Sequence, residues 1–384
     1  MTERPCIIIL LLFALILPAS GQVRVRVFAR QNPSSVVFSV TRGKYELDVF
    51  DGKPVQVAEG DPVILARYQN KIAVKTLQER SFLCDSLIVK ELTDDCAFML
   101  RLNDNTQLRR TYSGDLLVHS DLGIMVFINI CDIEKYIAGV VRTEGGAGRN
   151  SEYLKSQAVL ARTFLYKHFS RHLIDNYNMC DGTHCQAFNG ITTDQAVNKA
   201  ALETKGLVAL DPDSNLIISA FHSNCGGETS TADNVWLSNH SHVRKVIDPY
   251  CLHSPNATWR KTIPLAEWTA YLKKNGFNPG KNEKVSYSFS QLTRQNDYVI
   301  GSFSIPFSRI RNDLKLKSTF FSVQQEENNI ILKGRGYGHG VGLCQEGAMV
   351  MASRGFKFRE IIGFYYPDVI ITDIRYAKVV KNDF

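Results

Sequence analysis

The 384-residue sequence contains no block of five like charges, no internal repeat and no low-complexity segment. The missing charge blocks argue against an arm that binds nucleic acid. Basic residues number 45 and acidic residues 38, and this excess of +7 suits an ordinary soluble protein or a weakly polyanionic partner. Because 44% of the residues are hydrophobic, the chain can bury a substantial core. We therefore expect a folded protein that does not bind nucleic acid.

Long apolar runs are also absent after the first 21 residues, so no transmembrane helix is expected there. Arg4 precedes a 12-residue apolar run from Cys6 to Leu17, and the small residues Ala19 and Gly21 stand just before a cut ahead of Gln22. This pattern predicts a signal peptide over residues 1–21. No cysteine begins the mature chain. We expect an exported protein, in the periplasm or at the cell surface, without a membrane anchor.

Eight cysteines remain after the predicted cleavage, and an oxidising compartment favours disulfides between them. The number of possible pairings, about 105, is too large for the sequence to choose among them. Cys84 and Cys96 are the first candidate pair, because a hairpin-sized loop separates them.

The pattern of apolar residues predicts an α+β fold that is rich in β-structure. Residues 22–110 show alternating and β-branched runs, such as Val23, Val25 and Val27, and are interpreted as an N-terminal β module. Residues 111–230 form the expected core, and residues 231–384 a C-terminal β-rich part with a helical piece over Leu265–Lys274. The central helical segment is expected to form one side of a substrate groove, which the C-terminal part completes.

Two helices are predicted in the core. Apolar residues recur at helical spacing between Ile133 and Val141, which predicts an amphipathic helix that stops at Gly145 and Gly146. The next helix begins at once. Asn150 or Ser151 is its predicted cap, and it is expected to run to about residue 176.

Glu144 lies at the junction of these two helices, where flanking glycines leave a side chain uncovered. Lys155 and Arg162 are seven residues apart on one face of the second helix, and Gln157 lies in the same turns. Two cations and an amide near a glutamate can orient a substrate. The alternatives are a solvated loop glutamate and cations whose stems cover the edge of the core.

Cys180, His184 and Cys185 place two thiols and an imidazole within six residues. Zinc takes such ligands, and the fourth ligand would come from His172, His168 or His222. The alternative is a disulfide between the two cysteines.

Two further segments have the composition of a binding site. His222 and Ser223 follow a buried-looking strand and precede two glycines. In the stretch from Gly334 to Gly342 every second residue is glycine, so that Arg335, Tyr337 and His339 would project from one side if the backbone is extended. An aromatic face, a cation and exposed amides suit a sugar. No Lys-Ser or Lys-Thr follows to make a phosphate loop.

Together these segments resemble, in order, five blocks of the SpoIID family. The resemblance covers about residues 112–374, and its blocks are the following: Tyr136–Glu144, Leu154–Thr163, Cys180–Gln186, Phe221–Gly227 and Gly334–Ala348.

The resemblance implies a lytic transglycosylase that cuts peptidoglycan glycan strands stripped of stem peptides, between N-acetylmuramic acid and N-acetylglucosamine. Glu144 would be the catalytic acid and base. Zinc, in a structural role, is known in some family members and absent in others. By matching block, Lys155 and Arg162 would support Glu144 or bind substrate, and Cys180, His184 and Cys185 would be metal ligands. His172 is our candidate for the fourth ligand. The residue types themselves add the following candidates for substrate binding: Gln157, His222, Ser223, Arg335, Tyr337, His339 and Gln345.

The sequence departs from the family pattern at two places. Gly145 and Gly146 stand where the glutamate block usually continues with Met-Pro, which loosens the loop after Glu144. Cys344 precedes Gln345 where a serine is common.

One carboxyl group suffices for this reaction. Glycosidases ordinarily need two carboxylates. In a lytic transglycosylase the C6 hydroxyl of muramic acid attacks C1 itself, so that one glutamate protonates the leaving oxygen and deprotonates the hydroxyl. Such a glutamate needs a raised pKa, and hence a partly dry site. Two alternatives stay open: a non-catalytic glycan-binding module that recruits or enhances a cell-wall amidase, and a zinc hydrolase.

Overall fold

A computed structural model describes residues 21–50, 53–77, 81–146, 149–236, 242–280 and 285–378. The predicted signal peptide lies outside these ranges except for Gly21. Among the helices in these ranges, none has the length and apolar character required to cross a bilayer. Strands and helices are both abundant, which confirms a β-rich α+β fold.

The strands are numbered in chain order: β1 (Gln22–Val27), β2 (Ser35–Arg42), β3 (Tyr45–Asp48), β4 (Val55–Val57), β5 (Pro62–Tyr68), β6 (Lys71–Thr76), β7 (Ser81–Cys84), β8 (Ser86–Glu91), β9 (Ala97–Leu102), β10 (Arg109–Tyr112), β11 (Asp115–Asp121), β12 (Ile124–Asp132), β13 (Met179–Cys180), β14 (Leu207–Leu210), β15 (Phe221–His222), β16 (Thr258–Pro264), β17 (Asp297–Ile300), β18 (Phe303–Pro306), β19 (Phe321–Glu326), β20 (Asn329–Arg335), β21 (Leu343–Cys344) and β22 (Ile370–Asp373). The α-helices are α1 (Ile133–Gly145), α2 (Ser151–Lys167), α3 (Gln195–Glu203), α4 (Asp233–Trp236), α5 (Leu265–Lys274), α6 (Phe307–Asp313), α7 (Gln345–Ser353) and α8 (Phe358–Tyr365).

Two sheets build the N-terminal part of the protein. The first has the order β13-β1-β12-β11-β8-β3-β4, and the second β10-β9-β2-β5-β6-β7. In β1 the buried Val23, Val25 and Val27 alternate with half-buried neighbours, as the sequence pattern predicts. The first sheet includes β11 and β12, so that it continues past residue 110, the predicted end of the N-terminal module.

The described cysteines form no disulfides. Cys84 and Cys96, the first candidates for a disulfide, are both buried, as are the other six described cysteines. The Cys96 thiol donates to the Thr93 carbonyl at 3.0 Å, whereas Cys84 lies 3.9 Å from the Ile72 carbonyl. Because each thiol packs on a different backbone segment, the hairpin-sized spacing does not bring the two sulfurs together.

Helix α1 follows β12 directly. The Asp132 carboxylate accepts the N–H groups of Glu134 and Lys135 and so caps the first turn of α1. The helix ends at Gly145, where the prediction placed its end, and Gly146 adopts a positive φ of 82°. The last turn of α1 therefore presents Glu144 beside a sharp change in chain direction.

Helix α2 is capped by Asn150, whose side chain accepts the N–H of Glu152. It ends at Lys167, so the predicted end near residue 176 is wrong. The reason is the edge of the first sheet: the Asn178 N–H donates to the Arg24 carbonyl at 2.8 Å, and Met179–Cys180 then pairs with β1. Sheet pairing thus overrides the continuation of the helical pattern.

A buried ion pair joins the helices of the core. The Arg162 side chain is 0% exposed, and its guanidinium donates to both carboxylate oxygens of Glu134 at 3.1 and 2.5 Å. It also donates to the carbonyls of Ala201 and Leu207 at 3.1 and 3.0 Å. One side chain of α2 therefore holds α1, the end of α3 and the start of β14.

The C-terminal part contains a second hydrophobic core. The sheet β16-β20-β19 packs with α5 and α6 around Trp268, Tyr298 and Phe307. Helix α5 spans Leu265–Lys274, as predicted. Segments on both sides of this unit return to the main core, where β15 pairs in parallel with β21.

Replacing Arg162 with alanine is expected to lower the free energy of unfolding by about 3–5 kcal/mol, because Glu134 would remain as an unpaired charge in the interior. Chemical denaturation followed by circular dichroism measures the change. Lys199→Ala is the control, since Lys199 pairs with Glu203 at the surface and should matter little. Equal stabilities of the two variants would contradict the role given to Arg162.

Candidate functional site

Glu144 lies in the last turn of α1 and is only partly exposed. Its Oε1 accepts the backbone N–H of Ala187 at 2.8 Å. Burial raises the pKa of Glu144 above its ordinary value of 4.5, and the Ala187 hydrogen bond opposes this shift without cancelling it. The carboxyl group therefore has the environment of a proton donor that remains protonated at a higher pH than a solvated glutamate.

Lys155 and Arg162, the two cations of α2 predicted to lie near the site, are engaged away from this carboxyl group. Lys155 Nζ lies 3.2 Å from the Glu152 carboxylate and 2.8 Å from the Glu203 carboxylate, and the Lys155 side chain is 18% exposed. Arg162 is fully buried in its contact with Glu134. The structure thus gives Arg162 a positioning role inside the core, because a side chain with no exposed surface cannot touch a glycan.

Two glutamine side chains hold the end of α1. The Gln345 amide donates to the Glu144 carbonyl at 3.0 Å and to Gln157 Oε1 at 3.1 Å. Both side chains are buried, and Gln157 Nε2 has no partner among the described residues. Gln345 begins α7 and is 201 residues from Glu144 in sequence, so this contact brings the last family-like block to the first.

The glycine-dense stretch does not form the regular extended strand considered from sequence. Strand β20 ends at Arg335, and Gly336, Gly338, Gly340 and Gly342 all have positive φ. A Cβ on Gly338 would lie 2.8 Å from the Cβ of His222. The glycines therefore allow this segment to lie directly on the strand that carries His222.

Two histidines meet at this contact. The ring centroids of His222 and His339 are 5.5 Å apart. His222 Nδ1 lies 3.0 Å from the Val341 carbonyl, while its buried Nε2 has no partner among the described residues. Burial lowers the pKa of both rings, that of His339 to about 4, so both are neutral at neutral pH.

The other predicted contact residues of these segments differ in exposure. Tyr337 is 44% exposed, with Lys317 Nζ 5.7 Å from its ring centroid. Arg335 instead turns back, stacks 3.7 Å from the Phe320 centroid and donates to the Gln291 carbonyl. Ser223 is half-buried beside His222, and its carbonyl accepts from the backbone at the start of α7.

The predicted metal ligands converge. Ligand atoms of His172, Cys180, His184 and Cys185 all lie within 4.8 Å of one another. Cys185 Sγ is 3.4 Å from His172 Nε2 and 3.6 Å from His184 Nδ1. Two thiolates and two imidazoles are a donor set that zinc prefers. Asp175 lies 3.7 Å from His172 Nδ1, where it can orient the ring.

His168 and His222, the other two histidines considered as fourth ligand, are not in this group. His168 instead packs on Phe164 and contacts Arg171.

Sequence reasoning missed two groups next to Glu144. One is the Ala187 N–H, since no side-chain pattern marks a backbone donor. The other is Tyr153, which is buried in α2 with its hydroxyl 3.4 Å from the Gly145 carbonyl. The sequence places Tyr153 on the core-facing side of a predicted helix, but ordinary core residues have the same position, so this feature alone does not identify a site residue.

A cavity of about 470 Å³ lies at the opposite end of α1 and does not include Glu144. Asp132, Lys135 and Asn198 are among its lining residues. This cavity is therefore separate from the candidate site around Glu144.

Comparison with known proteins identifies relatives of this chain. The SpoIID family model, described as a stage II sporulation protein, matches residues 123–210. An uncharacterised protein of Brachyspira hyodysenteriae is 30% identical over 299 residues, 71% of this chain and 74% of that protein. The amidase enhancer of Bacillus subtilis is 26% identical over 292 residues, 62% of this chain and 40% of that protein. Stage II sporulation protein D of Bacillus subtilis is 28% identical over 260 residues, which are 63% of this chain and 74% of that protein. The chain belongs to the SpoIID family.

Proposed function

We propose that the protein acts on the cell wall as a lytic transglycosylase, cutting denuded peptidoglycan glycan strands after export. The single observation that carries the proposal is the partly buried Glu144 carboxyl group, whose pKa is raised by its surroundings. A general acid needs its proton at the working pH, and burial without a neighbouring cation supplies that condition. The causes of the shift are burial and one backbone hydrogen bond, with no ion pair among them.

In the proposed reaction Glu144 first donates its proton to the oxygen that leaves C1 of N-acetylmuramic acid. The C6 hydroxyl of the same sugar attacks C1 and transfers its proton to the Glu144 carboxylate. The bond from C1 to the leaving oxygen breaks, a bond from C1 to O6 forms, and a 1,6-anhydro end results. Glu144 regains the proton it gave, so the reaction consumes no water.

The surrounding residues would bind and orient the glycan. The exposed Tyr337 ring offers a face for a sugar, and the half-buried, neutral imidazole of His339 can exchange hydrogen bonds with hydroxyl or acetamido groups. His222 is buried behind His339 and would position that ring. Lys155, Gln157, Ser223, Arg335 and Gln345 remain proposed substrate-binding or positioning residues.

We further propose a structural zinc ion at His172, Cys180, His184 and Cys185. All four positions of a tetrahedral ion would be filled by the protein, which leaves no place for a metal-bound water. The ligand loop runs through Gln186 into Ala187, whose N–H holds the Glu144 carboxylate. When bound, zinc would supply rigidity to this loop, and the chemistry would stay with Glu144.

The second candidate is a non-catalytic glycan-binding module that enhances a cell-wall amidase. The relative named amidase enhancer favours it, although this chain covers only 40% of that protein. Both candidates use the same glycan-facing residues, and only the first requires a proton on Glu144.

Glu144→Gln is expected to lower formation of the anhydro product by a factor of about 10²–10⁴ or more, because the amide cannot deliver a proton. Purified denuded strands are the substrate, and mass spectrometry detects a sugar end lighter by one water. Glycan binding, measured by co-sedimentation, should persist. The matched control is Glu326→Gln, in a carboxyl group exposed on β19.

If wild type forms no anhydro product but stimulates an amidase, the binding module is correct. If Glu144→Gln retains wild-type turnover, the assignment of the acid is wrong.

Glu144→Gln is also expected to be more stable than wild type near neutral pH. A carboxyl group with a raised folded-state pKa contributes stability that is complete below its ordinary pKa of 4.5 and is lost as the pH rises through the folded-state value. Glutamine resembles the protonated form at every pH. Thermal unfolding against pH should show the two proteins converging under acid conditions; parallel curves at all pH values would argue against a buried, proton-retaining Glu144.

Removing the Cys180 and Cys185 thiols together as serines is expected to lower the zinc content by about one ion per chain and to lower the melting temperature. Inductively coupled plasma mass spectrometry and differential scanning fluorimetry measure the two effects. The control is Cys131→Ala, a buried thiol in β12 outside the ligand group. Unchanged metal content in the double variant would remove zinc from this site.

A further inference from the structure

A second group of potential metal ligands lies in the core of the C-terminal half. Cys225, Asp248, Cys251 and Cys344 each offer one ligand atom, and these four atoms lie within 4.8 Å of one another. All four residues are 0% exposed. We propose that they form a second structural metal site, which binds a zinc ion separately from the Cys180 cluster.

The distances suit a single ion. Cys225 Sγ lies 3.3 Å from Cys251 Sγ and 3.2 Å from Asp248 Oδ2. Sulfurs around a tetrahedral zinc, with zinc–sulfur bonds of about 2.3 Å, are separated by about 3.8 Å. Small shifts of side chains would therefore complete the site. Three thiolates and one carboxylate provide four protein ligands, so the site is closed to water and structural in character.

The groups around the four ligands are already oriented. Cys344 caps α7, and its sulfur accepts the N–H groups of Cys225 at 3.3 Å and Gly347 at 3.4 Å. These N–H groups and the positive end of the helix are directed at the sulfur, an arrangement that suits a metal-bound thiolate. Asp248 Oδ2 accepts the Tyr365 hydroxyl at 2.9 Å. Oriented outer groups of this kind are typical of metal sites.

Gly347 has no side chain, and the Asp248 carboxylate occupies the space that a side chain there would fill. A Cβ at this position would lie 2.4 Å from Asp248 Oδ2 and 2.2 Å from the Tyr365 hydroxyl oxygen. Any larger residue would displace the carboxylate from the sulfurs. Because Gly347 has no side chain, the first turn of α7 leaves room for the Asp248 carboxylate beside the three thiols.

Charge also favours a cation at this place. Three thiols and a carboxylic acid buried together cannot ionise without compensation, because isolated charges are costly in the interior. A divalent cation compensates two of the negative charges, and each bound thiol releases its proton to water. The step needs no oxidant. A disulfide between Cys225 and Cys251, whose sulfurs lie 3.3 Å apart, is the competing state, and it would use only two of the four potential ligands.

The proposed ion would join three segments that are far apart in sequence. Cys225 follows β15, Cys344 is the last residue of β21, and Cys251 lies between α4 and β16. Gln345, which holds the Glu144 carbonyl, directly follows Cys344. The ion would therefore fix the segments that reach Glu144. This role is independent of whether Glu144 is catalytic.

The test uses the chain from Gln22 onward, in wild-type form and with Cys180→Ser and Cys185→Ser to remove the first cluster. We expect about two zinc ions per wild-type chain and one in the double variant, by mass spectrometry of the metal content. Cobalt added to the metal-free double variant should give a thiolate-to-cobalt charge-transfer band. Adding Cys131→Ala to the double variant is the control and should leave both readouts unchanged.

Tyr365→Phe in the same background is the conservative second variant. It keeps the ring in the core but removes the hydroxyl that orients Asp248, and it is expected to weaken cobalt binding by about 10- to 100-fold in competition with a chelator. A folded double variant that binds no metal would overturn the proposal. Peptide mapping that finds a Cys225–Cys251 disulfide in protein purified without reductant would overturn it as well.

Discussion

The ion pair between Arg162 and Glu134 is the contact on which the arrangement of the core depends. A guanidinium in the interior requires several partners at once, and here it finds a carboxylate on α1 and carbonyls near α3 and β14. These partners fix the angle between α1 and α2. Glu144 lies at the end of α1, so its position follows from a contact nearly three helical turns away.

The site itself is assembled from opposite ends of the chain. Gln345 bonds to the end of α1 and to Gln157 on α2, while Ala187 reaches the Glu144 carboxylate from the loop that follows the Cys180 cluster. Each of these contacts uses an amide, which carries no net charge. Neutral partners leave the proton affinity of Glu144 under the control of burial, whereas a lysine or arginine in the same place would lower its pKa.

Sequence patterns anticipated much of the fold where the signal was local. The alternation in β1, the end of α1 at Gly145 and the bounds of α5 follow from periodicity and from glycine. The end of α2 did not follow, because it is decided by hydrogen bonds between Asn178 and Arg24, 154 residues apart, and by the adjacent pairing of β13 with β1. The Cys84 and Cys96 pairing failed for a similar reason, since spacing along the chain says little about where two sulfurs face.

In the candidate site, too, local motifs could be recognised from sequence and long-range contacts could not. The motif resemblance pointed to Glu144 as the candidate acid and to the four residues whose ligand atoms converge, but it did not reveal the burial of Arg162 or the turning of Arg335 toward Phe320. Whether a cation faces a substrate or the core depends on tertiary partners that a helical face does not reveal. The sequence suggests that the glycine-dense segment approaches a ligand, whereas in the structure its glycines allow close contact with the neighbouring strand of the same chain.

The two departures from the family pattern, at Gly145 and Gly146 and at Cys344, have related effects on the position of Glu144. Gly145 and Gly146 remove the stiffness that a Met-Pro pair would give to the loop after Glu144. Cys344, in place of a serine, adds a sulfur that caps α7 and contacts the backbone of Cys225. A loop with fewer internal restraints needs to be held from outside, and Gln345 supplies that hold from the residue next to Cys344. A metal ion bound to Cys344 would hold the adjacent Gln345 in place. Gln345 would in turn fix the position of Glu144, which the two glycines leave less restrained.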